Sequence, residues 1–235
     1  MRNALAAEWG KTWSLRSPWF CVVAAVLLTV VMATTLANDF RYDVAQGNLP
    51  GSATLAVLDP LVPAMQVGQL ALVALAMLVV TSEYGTGVIR STFLARPRRR
   101  DVLLAKTAVA GGTGFAAGLA CAAAGWAATA VVLGGHAQPG EPVAASLRLA
   151  VVAALAGMLT VAVGFLLRSA AGTLTTMFVL LVGLQLVDAR IGQYLPAGAA
   201  VGFATGEGVR HLLVLTAWVA AAQLAAGLLL TRRDA

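Results

Sequence analysis

Six apolar runs constrain this chain more than any other feature of it. They fall at roughly 19–37, 61–80, 107–133, 147–167, 170–187 and 211–230. A helix needs about 20 apolar residues to cross the hydrocarbon core, because there its backbone must satisfy its own hydrogen bonds. All six runs meet or approach that length. The third is long enough to tilt or protrude. The fifth is short and begins two residues after the fourth ends, so its boundary is the least sharply drawn. Composition agrees: 60% of residues are hydrophobic and 11% are charged, where a soluble domain carries about 25% charge. The reading is an all-α polytopic membrane protein of six transmembrane helices, forming one domain over residues 1–235.

The charges give the runs an orientation. With the N-terminus inside, the inner segments are 1–18, 81–106, 168–169 and 231–235, and they hold twelve basic against four acidic residues. The outer segments hold four basic against six acidic. That skew is the positive-inside pattern. It places both termini in the cytoplasm of a multi-pass protein of the cell membrane. A net charge of +6 could also suggest nucleic acid, but the charges are topological in placement and no nucleic-acid module accompanies them. A cleavable leader is not expected, because the first apolar run starts late.

Residues 1–18 have few helix breakers before Pro18. Leu5, Trp9 and Trp13 are four apart and share a helical face, while Glu8, Lys11 and Arg16 lie largely off it. The pattern predicts an amphipathic elbow helix at the interface, with tryptophans at headgroup depth and basic residues toward anionic lipid.

The stretch "TSEYGTGVIRSTFLARPRRRDVLLAK", residues 81–106, concentrates charge as nothing else in the chain does. Six of the sixteen basic residues lie between Arg90 and Lys106. These charges fix topology, yet topology alone does not require Glu83, Gly85 and Gly87 in so compact a pattern. An anionic lipid patch is a second reading. A third is a docking element: Val88, Ile89, Phe93 and Leu94 supply apolar contacts, Pro97 breaks the chain, and Asp101 caps the next helix near its positive end. Glu83 stands at the membrane border, within reach of Arg90 or Arg98.

This block resembles the cytoplasmic loop of the ABC-2 type permeases, the small six-span actinobacterial kind. The likeness rests on Ser82, Glu83 and Tyr84, then Gly87, Val88, Ile89 and Arg90, then Pro97, Arg98 and Arg99, then Ala105 and Lys106. Glu8 and Lys11 match the Glu-x-x-Lys opening of that family's elbow helix, and 193–204 resembles its stretch before the last span. The resemblance implies a transport subunit, not an enzyme, that pairs with a second permease subunit, the same chain or a different one. It implies a separate ATP-binding partner that holds ATP and Mg, with no cofactor in this chain. Coupling to that partner falls to Glu83, Tyr84, Gly87, Arg90, Pro97, Arg98, Arg99 and Arg100, and the elbow helix to Glu8, Trp9, Lys11 and Trp13. Tyr194, Leu195 and Pro196 would shape an outer gate. The sequence contains no Gly-x-x-x-x-Gly-Lys-Ser/Thr loop of its own. A membrane assembly factor and an ATP-independent carrier are the competing functions.

Inside the runs, Gln66, Gln69, Gln185 and Gln223 are the strongest polar marks, and hydrogen bonding between helices is their simplest use. The absence of charge from most runs counts against a proton path. "GGTGFAAG", with Gly114 and Gly118 four apart, permits close helix contact within one subunit or between two.

Overall fold

The computed structural model describes residues 2–87, 99–138 and 140–232, and most of them are helical. In chain order the helices are α1 (Arg2–Trp13), α2 (Ser17–Ala45), α3 (Leu58–Thr86), α4 (Arg99–Leu133), α5 (Pro142–Leu167), α6 (Ala170–Leu181), α7 (Ala189–Gly192), α8 (Pro196–Ala204) and α9 (Val209–Arg232). Two short strands, β1 (Leu55–Ala56) and β2 (Ala137–Gln138), pair in parallel. Helices α2, α3, α4, α5 and α9 are each long and apolar enough to cross a membrane. This is the build of a multi-pass membrane protein.

Helices α3 and α5 form the centre, with 67% and 78% of their apolar windows buried, against 22% for α2 and 17% for α9. The outer pair turns Val23, Leu27 and Val31, and Leu213, Leu224 and Leu228, away from the bundle, as helices facing lipid do. Small residues set a close contact between α4 and α5. A Cβ added at Gly114 would lie 2.8 Å from the Ala153 carbonyl oxygen, and one at Gly157 would lie 2.9 Å from that of Ala110. The glycine face of "GGTGFAAG" is therefore spent inside the chain, where it lets two backbones approach.

Helix α2 continues past its apolar run to Ala45, so Asp39, Arg41 and Asp43 ride on a helix where the hydropathy suggests a loop. No Gly or Pro interrupts the chain until Gly47, whose φ of +78° ends it. Beyond it, the β1–β2 pair ties the α2–α3 connection to the α4–α5 connection. His136 Nδ1 lies 2.9 Å from the Ala53 carbonyl oxygen, and Arg41 donates to the Val132 carbonyl oxygen at 3.0 Å. Hydropathy carries no signal for strands of two residues.

The largest difference from expectation lies in the run 170–187. It is not one helix. Helix α6 has 12 residues, about 18 Å of rise, and is followed by a 3-10 turn over Gly183–Leu186 and the short α7. Then α8 enters the bundle with Pro196, Ala197, Ala199 and Ala200 buried. Leu181 at the end of α6 and Ala200 in α8 line the same cavity, beside Gln69 and Val152. Trp218, nine residues into α9, donates to the Tyr194 carbonyl oxygen at 3.0 Å. A half-length helix thus stands where a full span was expected, and the connection from it to α8 exposes Gln185, Asp188, Arg190, Ile191 and Tyr194. Gly183, Asp188, Gly192 and Pro196 explain the break: none favours a continuous helix.

Candidate functional site

One end of the bundle gathers α1, the end of α3, the start of α4, Arg168 and the last turn of α9. This is the basic end of the bundle. Helix α3 stops where Gly87 takes a left-handed φ of +73° and donates its N–H to the Tyr84 carbonyl oxygen. Helix α4 begins at Arg99 and runs the other way. Glu83 lies three residues before the end of α3 and Lys106 seven after the start of α4, which brings the two side chains level.

Lys106 is the centre of the site. Its side chain is 1% exposed, and its ammonium donates to Glu8 Oε2 at 2.7 Å, to the Val79 carbonyl oxygen at 2.9 Å and to Glu83 Oε1 at 2.9 Å. An ammonium has three N–H donors, and all three are used. Val79 and Glu83 are four apart on α3 and so present their acceptors on one face. Glu8 comes from α1, and three residues on, Lys11 of the same helix reaches Glu83 Oε1. Two acids and two lysines alternate, their formal charges cancel, and three helices are joined. Removing one member of such a buried set strands the others in a poor solvent for charge.

Both lysines of the chain stand in this cluster, against fourteen arginines elsewhere. A compact ammonium fits a three-acceptor niche that a planar guanidinium would not. That imbalance is the sequence signal that could have marked Lys106, which motif reading takes only as part of a helix opening. It could also have marked Glu8 as its counter-charge.

Residues Arg2–Trp13, where an elbow helix is expected, do form a helix, but its charged side chains are oriented otherwise than expected. Leu5 and Trp9 are exposed, and Trp13 stacks between Trp9 and Trp19 at centroid distances of 5.9 and 4.7 Å. Lys11, a basic residue expected to lie toward anionic lipid, turns instead to the bundle, and Glu8 turns with it. A buried Lys106 without a counter-charge would cost several kcal/mol, and Glu8 and Glu83 supply that counter-charge.

Tyr84 is held edge-on against Phe165 at 6.1 Å, with the Arg168 guanidinium 5.3 Å from its ring centroid. Arg168 closes α5 at a φ of +52°, unusual for a residue with a side chain. Tyr84 therefore fastens α3 to the end of α5. Arg100 is exposed on the first turn of α4. Asp101 sits within that turn, not at the cap, because the helix starts three residues earlier than expected; there it still faces the positive helix end. Arg90, Pro97 and Arg98 lie outside the described residues, as does the side chain of Arg99. Among the described residues, the partners of Glu83 are Lys106 and Lys11.

Tyr194, Leu195 and Pro196 lie at the start of α8, with Pro196 in its first turn and Leu195 as the residue before it. The far end of α8 is held by Arg148, which donates from Nε to the Ala204 carbonyl oxygen at 3.2 Å. Gln223 donates to Thr107 Oγ1 and to the Met158 carbonyl oxygen, each at 2.9 Å, and so joins α9 to α4 and α5. Gln185 bonds within its own segment, to the Leu181 carbonyl oxygen. Gln66 and Gln69 line the cavity beside Leu181.

No protein-family model matches the chain, and no curated protein or solved structure is significantly similar to it.

Proposed function

We propose that the chain is the membrane permease subunit of an ATP-driven exporter of the ABC-2 type, lying in the cell membrane with both termini cytoplasmic. In this reading a separate ATP-binding subunit docks on residues 81–106 and supplies ATP and Mg, and a second permease subunit completes the path. The observation that carries the reading is the Glu8–Lys106–Glu83–Lys11 cluster. It binds the elbow helix to both flanks of the basic segment. A force applied to that segment would move α1, α3 and α4 as one, which is what a partner's nucleotide-driven closure needs in order to switch the membrane part between two packings.

The test is co-purification of the tagged chain in mild detergent, scored for an ATP-binding subunit and its ATPase rate. The expected result is a stoichiometric ATPase, uncoupled by reversing Arg98 and Arg99 to glutamate while insertion is normal. A well-inserted chain that comes down alone in several detergents, and supports transport without ATP, would assign it to the carriers. The same solitary behaviour without any transport would make it an assembly factor.

A further inference from the structure

A cavity of about 80 Å³ opens beside the charge cluster, between α1, the start of α2 and α3. Pro18, Leu75 and Leu78 form its apolar wall, and Lys11, Glu83 and Lys106 its polar one. The polar wall is asymmetric. All three donors of Lys106 are occupied, so it has none to offer a ligand. Glu83 is 3% exposed, and while its Oε1 accepts from both lysines, its Oε2 accepts no hydrogen bond. A buried carboxylate oxygen without a donor is costly. Lys11 is the converse: 46% exposed, with one of its three donors on Glu83 and the others unassigned. The wall therefore asks for a donor in its depth and an acceptor at its mouth. Trp9 and Trp19, both exposed nearby, fix this region at headgroup level.

From this we infer that the cavity is a binding site for a primary ammonium group carried on an apolar tail. The ammonium donates to Glu83 Oε2, and the tail lies along Leu75 and Leu78. In an aminophospholipid of the adjoining leaflet, the phosphate that follows the ammonium meets Lys11. A trimethylammonium head has no N–H and cannot make the central contact, and an anionic glycerol head offers no cation to Glu83. The site stands independently of the proposed function and needs no ATP-binding partner.

The experiment is native mass spectrometry of the purified full chain, titrated separately with phosphatidylethanolamine, phosphatidylcholine and phosphatidylglycerol of identical acyl chains, and with dodecylammonium. Phosphatidylethanolamine is expected to be retained roughly ten-fold better than the other two lipids, the worth of a charge-assisted hydrogen bond to a buried carboxylate. Leu78→Trp fills the cavity without touching the charges and should abolish the preference, as should Glu83→Gln. Leu15→Trp, at an exposed position on the cavity rim, does the same job should Leu78→Trp misfold. Retention of dodecylammonium but not of the lipid, with the same sensitivity to these variants, supports the ammonium site and makes a soluble amphipathic amine its source. Equal retention of the three lipids, a preference for phosphatidylglycerol, or a preference that survives both tryptophan variants overturns the inference.

Discussion

The two ends of this bundle are fastened by different chemistry. At the basic end the links run through a few ionised side chains, with Lys106 as the common member. At the opposite end they run largely through backbone: a two-residue parallel pairing, and carbonyl oxygens of Ala53, Val132 and Ala204 accepting from His136, Arg41 and Arg148. A fastening built on one side chain is strong but can be undone at a single position. One distributed over many backbone groups has no such point. The difference suits an end that must respond to something and an end that must hold.

Three substitutions can break or sharpen this contrast. The largest effect belongs to Lys106→Met, which leaves Glu8 and Glu83 buried without their cation. A loss of about 3–5 kcal/mol is expected, read from reversible unfolding in mixed micelles. A loss below about 1 kcal/mol would mean that the basic end is held by packing and that the comparison fails. At the other end, Arg148→Ala removes one hydrogen bond to Ala204 and should cost about 1 kcal/mol by the same assay. A loss as large as that of Lys106→Met would show that this end, too, hangs on one residue. The smallest effect is that of Lys11→Ala. Lys11 is 46% exposed and Glu83 keeps Lys106 when it is lost, so about 0.2–1 kcal/mol is expected, and raising the salt concentration should erase most of it.

Much of the architecture is legible in the sequence because it follows from summed hydropathy. The four runs that became α2, α3, α4 and α5, and the one that became α9, are each uniform enough that no local preference competes. The fifth run misleads for the same reason. Its mean hydropathy is that of a span, but the α-helix stops at Leu181 and the chain turns at Gly183, a local choice that an average ignores. The site is half legible. Glu83 and Glu8 stand out as acids next to apolar runs, and the charge count places them at one end. Their meeting at Lys106 does not, because it depends on the register of α3 against α4 and on α1 folding back, and both are tertiary facts. The strands β1 and β2 are invisible for the opposite reason: two residues apiece are too few to leave a pattern.

The pairing of β1 with β2 has a mechanical consequence. It joins the connection between α2 and α3 to the connection between α4 and α5, while at the other end the charge cluster joins α1, α3 and α4. Helices α3 and α4 are thus pinned at top and bottom, like a plank nailed at both ends, and cannot slide along one another without tearing one set of nails. Helices α6 to α9 carry neither pin. They are held to the rest by side-chain packing, Ala226 and Leu230 against Val102 and Phe165 and Met177 against Val73 and Leu159, with hydrogen bonds from Arg148 and Gln223 added. Sliding α3 against α4 therefore means breaking the strand pairing or the charge cluster, whereas the C-terminal helices hold these two by packing and the one hydrogen bond from Gln223 to Thr107.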